Sequence, residues 1–250
     1  YFSSELVQNG NFSELGSEAV TNGDFATDSD WNKTQAVIQN GQAIITSPDG
    51  SYAAIDQSGI LTTSKTYLYS IEVISISGTM QIRAGGGTDV DITTSGVHTG
   101  YIVANSTGFE IKRKSGAGAL SVIIDNVSVK QVDPNDRWNL GGCWSFGDSV
   151  TLSDGTGNNS ITQAITLPTG KLRIKFDIIT RTQGSVRLFI NKPAFTELLN
   201  VSEIGSYEIN VDTTSGANNI YFYATNLFIG SISNISVVEV QGDRPRLSYD

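Results

Sequence analysis

Ile124-Asp125-Asn126-Val127-Ser128-Val129-Lys130-Gln131-Val132 returns as Ile232-Ser233-Asn234-Ile235-Ser236-Val237-Val238-Glu239-Val240, 108 positions later (232 − 124). Five of the nine positions are identical. In each copy apolar residues alternate with polar ones: Val127 and Val129, then Ile235 and Val237, point one way, while Asn126, Ser128 and Lys130 point the other. That is the period of a strand with one buried face. Each copy runs into a break containing Asp, Pro, Asn or Gly, so the stretch reads as the closing strand of a domain present twice.

Working outward, the two halves stay in step. Trp31-Asn32 matches Trp138-Asn139 at an offset of 107 (138 − 31). The alternating run Tyr67-Leu68-Tyr69-Ser70-Ile71-Glu72-Val73 matches Leu172-Arg173-Ile174-Lys175-Phe176-Asp177-Ile178 at 105, and Gly78 matches Gly184 at 106. A period this long is a duplicated domain, not a solenoid. A second, shorter echo sits at the start: Val7-Gln8-Asn9-Gly10-Asn11-Phe12, then Val20-Thr21-Asn22-Gly23-Asp24-Phe25. Asn-Gly between apolar residues marks a tight turn or bulge.

The composition agrees with strands. Only 16% of the 250 residues are charged and Pro is scarce at 5, while no long run shows helical spacing. The expected fold is all-β: two tandem antiparallel β-sandwich (jelly-roll) domains joined by a short stiff linker. Strands are expected near 20–25, 35–46, 52–57, 66–76, 79–84, 98–104, 108–113 and 121–132. In the second half they are expected near 143–152, 160–167, 171–181, 184–190, 197–201, 205–211, 218–224 and 228–240. The implied division is a lead-in at 1–19, domain 1 at 20–132, domain 2 at 133–241 and a tail at 242–250 leading to further domains. Domain 2 has no room for an opening strand of its own, because residues 127–132 already close domain 1. Pro134 would stiffen the junction.

Several function classes drop out. A net charge of −9 argues against nucleic acid, whose phosphates require clustered Lys and Arg. The single cysteine, Cys143, excludes an internal disulfide and a thiolate metal cluster, and reads as a small core residue. No apolar run is long enough to insert into a bilayer. Gly85-Gly86-Gly87 and Asp154-Gly155-Thr156-Gly157 read as loops; neither joins a strand to a helix, so neither reads as a phosphate cradle. The one histidine, His98, lacks a nucleophile context and reads as a strand-end residue. Nothing in the spacing of the acids singles out a catalytic pair, so no enzyme is expected.

The strand Ile220-Tyr221-Phe222-Tyr223-Ala224 offers the clearest binding candidate. With Ile220, Phe222 and Ala224 inward, Tyr221 and Tyr223 share the outer face; by the same alternation Arg187 and Phe189 point outward beside Val186 and Leu188. Rings with flanking hydrogen-bonding groups suit the C–H faces and hydroxyls of sugars, and they equally suit a protein contact. Trp31 and Trp138, equivalent by the repeat, read as core plugs, as does Trp144.

The Val-x-Asn-Gly-Asp-Phe opening of residues 20–25, Trp31 six residues on, and the Asp125-Asn126-Val127-Ser128-Val129 closing strand resemble carbohydrate-binding modules of the family 4/9, galactose-binding-like jelly-roll type. The wording from Glu18 to Phe25, with Arg244-Pro245-Arg246-Leu247-Ser248-Tyr249-Asp250, looks like modules in tail, fibre and other virion proteins of tailed bacteriophages. The resemblance implies a non-enzymatic virion structural or adhesion segment, a spacer that also takes host surface glycan. Its partners would be other virion proteins and further copies of itself, and its place the particle surface. The alternative is a module pair appended to a secreted bacterial glycoside hydrolase. No cofactor is required, but the resemblance suggests a structural calcium in domain 1, held by Asn22, Asp24 and Asp125. Ala26 stands where a further acidic ligand is expected, and solvated carboxylates at strand ends are the competing reading.

Overall fold

The short alternating runs become antiparallel strands, and no helix occurs among the described residues. The computed structural model describes residues 1–86, 89–153, 159–192 and 194–241; Gly87, the 154–157 loop and the 242–250 tail with its Arg-Pro-Arg segment lie outside these. The chain divides into two units. One, the inserted unit, is Leu15–Val132; the other, the split unit, combines Tyr1–Glu14 with Asp133–Asp250.

The inserted unit holds β1 (Leu15–Glu18), β2 (Asn32–Thr34), β3 (Ala36–Gln39), β4 (Gln42–Ser47), β5 (Ala54–Gln57) and β6 (Thr66–Ser77). It continues with β7 (Met80–Arg83), β8 (Val90–Ile92), β9 (Gly96–Val103), β10 (Phe109–Arg113) and β11 (Leu120–Val132). One sheet runs β3-β4-β11-β6-β9, with β1 also on β11; the other runs β2-β5-β10-β7-β8. Between them lies a core that includes Ile45, Ile55, Ile71, Ile82, Phe109, Ile111 and Val129. The alternation in β6 explains its role: Tyr67, Tyr69, Ile71 and Val73 are buried, their neighbours less so.

The split unit repeats this plan with longer strands. They are β12 (Asn139–Leu140), β13 (Trp144–Ser145), β14 (Val150–Leu152), β15 (Ser160–Thr166), β16 (Gly170–Lys192), β17 (Ala194–Val201), β18 (Gly205–Thr213) and β19 (Asn218–Glu239). In β16, residues 170–178 pair with β18 and residues 186–192 with β17. β19 pairs with β15 near Phe222 and with β14 near Ile232. Each long strand therefore runs through both layers, where the inserted unit uses two strands. Register shifts between Ile178 and Ser185 mark the bend in β16. Gly184 lies there at φ 75°, and a Cβ on it would overlap the Phe228 backbone. Its sequence match, Gly78 at φ 102°, lies between β6 and β7 and would overlap the Ala119 carbonyl. Both bends need a residue without a side chain.

The opening segments differ from the sequence expectation. Residues 20–25 form a turn rather than a strand, with Asn22 at φ 54° and Phe25 at φ 50°; Asn9 and Phe12 adopt the same form at 51° and 58°. Residues 1–14 are not a separate lead-in. They supply the split unit with the opening segment that counting back from Trp138 failed to find. Tyr1 and Gln241 exchange hydrogen bonds, Phe2 bridges Val240, and the Leu6 amide donates to the Val237 carbonyl at 2.9 Å. The expected single linker is therefore doubled: the chain passes between units at Glu14–Leu15 and at Val132–Asp133. Residues 133–137 belong to the split unit, where the Asp133 amide donates to the Glu14 carbonyl at 3.0 Å.

Candidate functional site

The alternation read in Ile220–Ala224 holds in the structure. Ile220, Phe222 and Ala224 are buried with Val186, Leu188 and Ile190 in the core of the split unit. Tyr221 and Tyr223 are directed to the outer face of the sheet, paired across the ladder with Phe189 and Arg187. The four residues singled out in the sequence thus lie together.

The structure adds three residues to them. Phe195, on the edge strand β17, stacks on Phe189 with centroids 4.4 Å apart and planes 10° apart. It meets Tyr221 and Tyr223 edge-on at 5.1 and 5.6 Å. Tyr221 and Tyr223 lie 6.3 Å apart at 28°. Phe195 is 50% exposed, whereas Phe189 is only 6% exposed. Phe189 therefore points outward as expected but is covered; it is the base of the cluster, and Phe195 is its surface. Glu197 pairs with Arg187, whose guanidinium carbon lies 4.9 Å over the Phe189 ring. Asn219 donates to the Tyr221 hydroxyl at 3.1 Å. A hydroxyl that accepts from Asn219 can also donate its own proton to an outward acceptor. The hydrogen bond from Arg187 holds Glu197 below the usual carboxylate range, and the same bond holds Arg187 above its ordinary value.

Phe195 escapes a sequence reading because Pro193, two residues before it, breaks the alternating pattern. The expected strand began at 197, whereas β17 begins at Ala194. The signal available was the apolar pair Ala194-Phe195 itself, opposite an aromatic strand.

The inserted unit presents the corresponding face with different chemistry. In the ladders, Arg83 opposes Glu110 and Gln81 opposes Lys112, where the split unit has Phe189 opposite Tyr221 and Arg187 opposite Tyr223. These charges are matched among themselves. Tyr52 donates to Glu110; Arg83 lies 3.9 Å from Glu110 and 3.7 Å from Asp89; Lys112 lies 3.8 Å from Asp89. Gln81 donates to Asp91 at 2.8 Å, and Asn32 to Asp56 at 2.9 Å. Burial, then the bond to Glu110, pushes the Tyr52 hydroxyl up to about 12. Among the described residues, the stacked cluster of four rings is found on the split unit, whereas Tyr52 of the inserted unit is bonded to Glu110.

Asn22, Asp24 and Asp125 are each engaged by the protein. The Asn22 amide donates to the Thr27 and Ser29 carbonyls at 2.7 and 3.0 Å and accepts from the Thr27 amide at 3.3 Å. Asp24 accepts from the Ala26 amide and Asp125 from the Asn126 amide. Asn9, the equivalent of Asn22, likewise accepts from a following amide, that of Glu14, but donates to the distant Asp133 carboxylate. Among the described residues no three His, Cys, Asp or Glu side chains gather as a metal set. Calcium takes six to eight oxygens; here Asn22 uses both ends of its amide on its own loop, while Asp24 and Asp125 each keep acceptor capacity beyond their one backbone bond.

The remaining sequence candidates are structural. Trp31 and Trp138 are buried and bond the Asn22 and Asn9 carbonyls at 3.0 and 2.9 Å. Trp144 is buried against Phe228. His98 contacts the Thr94 carbonyl at 2.8 Å, and Cys143 is half-buried at the edge of the core.

No family model and no curated protein matches the chain. Among solved structures, the CBM22-1–CBM22-2 tandem domain of Paenibacillus barcinonensis Xyn10C is 9% identical, over 91% of this chain and 99% of that one, at a TM-score of 0.32. Allantoicase from Saccharomyces cerevisiae is 8% identical, over 94% and 92%, at 0.36. Arthrobacter globiformis T6 isomalto-dextranase, solved with panose, is 12% identical, over 80% and 36%, at 0.27. Likeness at this level assigns the chain neither a family nor a ligand.

Proposed function

We propose that the chain is a non-enzymatic adhesion segment whose split unit binds carbohydrate through the face formed by Phe195, Tyr221 and Tyr223. One observation carries this: an exposed ring on a stacked aromatic base, edged by groups able to bond hydroxyls. The C–H face of a sugar ring would lie on Phe195 and Tyr221. The Tyr221 hydroxyl proton and the Arg187–Glu197 pair would take ring hydroxyls. No metal or other cofactor is needed for this mode of binding.

The setting proposed is the surface of a tailed-phage virion, in a tail or head fibre, with other virion proteins and further copies as neighbours and host glycan as ligand. It rests on the resemblance of the Glu18–Phe25 and Arg244–Asp250 wording alone. A hydrolase encoded on the same polypeptide would move the same face to the appended-module alternative.

The test is a glycan array probed with residues 1–250 and with the Tyr221→Ala/Tyr223→Ala variant. Binding to defined glycans that the double variant loses supports the proposal. A fold-competent protein that binds none of a broad array, or a variant that binds equally well, removes it.

A further inference from the structure

Two eight-residue segments, Glu5-Leu6-Val7-Gln8-Asn9-Gly10-Asn11-Phe12 and Glu18-Ala19-Val20-Thr21-Asn22-Gly23-Asp24-Phe25, lie 13 residues apart (18 − 5). They dock in different units by the same contacts. In the split unit Glu5 accepts from the Val237 amide and the Ser236 hydroxyl, at 2.5 and 2.6 Å. In the inserted unit Glu18 accepts from the Val129 amide and the Ser128 hydroxyl, both at 2.6 Å. A buried glutamine then reads the backbone from both sides. Gln163 donates to the Gln8 carbonyl at 2.7 Å and accepts from the Gln8 amide at 2.8 Å. Gln57 does the same to Thr21 at 2.6 and 3.1 Å.

The third, sixth and eighth positions are read as closely. Val7 and Phe12 are buried in the core of the split unit, as Val20 and Phe25 are in the inserted one. The Ile235 amide donates to the Gly10 carbonyl at 2.9 Å, and the Val127 amide to Gly23 at 2.8 Å. A Cβ on Gly10 would overlap the Ile235 carbonyl oxygen, and one on Gly23 the Val127 carbonyl oxygen. The contacts thus specify Glu-x-Val-x-Asn-Gly-x-Phe in an extended-then-turned form, from backbone and side chain together.

What separates the two cases is the chain path. The inserted unit's segment runs on directly to Trp31 of the same unit. The split unit's segment is joined to the rest of its unit only through the whole of Leu15–Val132. We infer that the split unit carries a peptide-recognition slot, separate from the aromatic face and independent of the carbohydrate reading. The slot is specific for Glu-x-Val-x-Asn-Gly-x-Phe and takes that segment from a second copy of the chain in place of its own. Strand addition of this kind draws affinity from backbone bonds and specificity from alternate side chains. Exchange of an identical element between copies is a low-cost route to assembly. In dilute solution the chain's own segment holds the slot; at the local concentrations of a multi-copy assembly the neighbour's competes.

The test uses the full chain carrying Gly10→Ala, whose own segment no longer seats, and a labelled synthetic peptide of residues 1–14 standing in for the segment of a second copy. The peptide should bind and raise the melting transition of the split unit toward that of the unmodified chain. A peptide with Gly10→Ala should bind about a hundredfold more weakly. If the split unit of this variant fails to fold alone, a wild-type chain with a protease site placed between Glu14 and Leu15 replaces it. After cutting, labelled peptide should exchange into the slot. Absence of uptake in both proteins, or equal uptake of the two peptides, overturns the inference.

Discussion

The Trp138 indole nitrogen donates to the Asn9 carbonyl at 2.9 Å across 129 residues of chain, and Trp31 makes the same bond to Asn22 at 3.0 Å across 9. Phe12 packs on Trp138 at 5.1 Å and Phe25 on Trp31 at 5.5 Å. One local device thus serves two units, once in cis over a short loop and once after a long detour. Trp138→Phe keeps most of the packing and orphans a carbonyl, so it should cost about 1–2 kcal/mol, confined to the split unit. Trp31→Phe should cost a similar amount in the inserted unit. Calorimetry that resolves two transitions checks this: each variant should lower one and leave the other in place.

The Leu15–Val132 unit begins and ends on paired strands, Leu15 lying opposite Val132. Expressed alone, residues 15–132 should fold with a cooperative transition. The split unit should also fold when Glu14 is joined to Asp133 through a two-residue Asn-Gly turn, since those backbones already bond at 3.0 Å. Amide-dispersed NMR spectra of the two pieces, superimposing on that of the whole protein, are the expected result.

Phe195→Ala removes the exposed ring and uncovers Phe189. Each lost ring pair is worth about 0.5–1.5 kcal/mol, so a modest loss of stability should accompany a loss of at least tenfold in glycan affinity. Tyr221→Phe retains the ring but not its hydroxyl. It should keep the fold and weaken binding less than Tyr221→Ala. Titration calorimetry with an array-selected glycan separates the two.

Arg187 holds Glu197 below its ordinary value of 4.5. A depressed carboxylate favours the folded state fully above pH 4.5, and that contribution fades as pH falls through the lower folded value. The Arg187–Glu197 pair should therefore survive at pH 4.5 and break only in stronger acid. An NMR titration of the Glu197 side-chain carbon checks this, and in Arg187→Ala its midpoint should return toward 4.5.

Much of this was legible in the residues. The duplicated closing strand, the matched glycines at 78 and 184, and the outward Tyr221 and Tyr223 follow from two-residue alternation and internal repetition, both local signals. What escaped was long-range. The echo of Val7–Phe12 in Val20–Phe25 was visible, yet nothing local says that the first copy belongs with Trp138 rather than Trp31. The long-range contacts reveal it, among them the hydrogen bonds of Gln163 and Trp138. Phe195 was hidden because its exposure and its stacking on Phe189 depend on a neighbouring strand. The use made of Asn22 was hidden for a related reason: its side-chain amide bonds the backbone of its own loop on both sides, which composition does not show.

The pairing of Phe2 with Val240, flanked by Tyr1 and Gln241, has a mechanical consequence. Polypeptide joined ahead of Tyr1 and beyond Gln241 would pull on two antiparallel strands from the same end. Tension would then load the bonds one after another, as in opening a zip, rather than all at once in shear. Such a junction yields at low force.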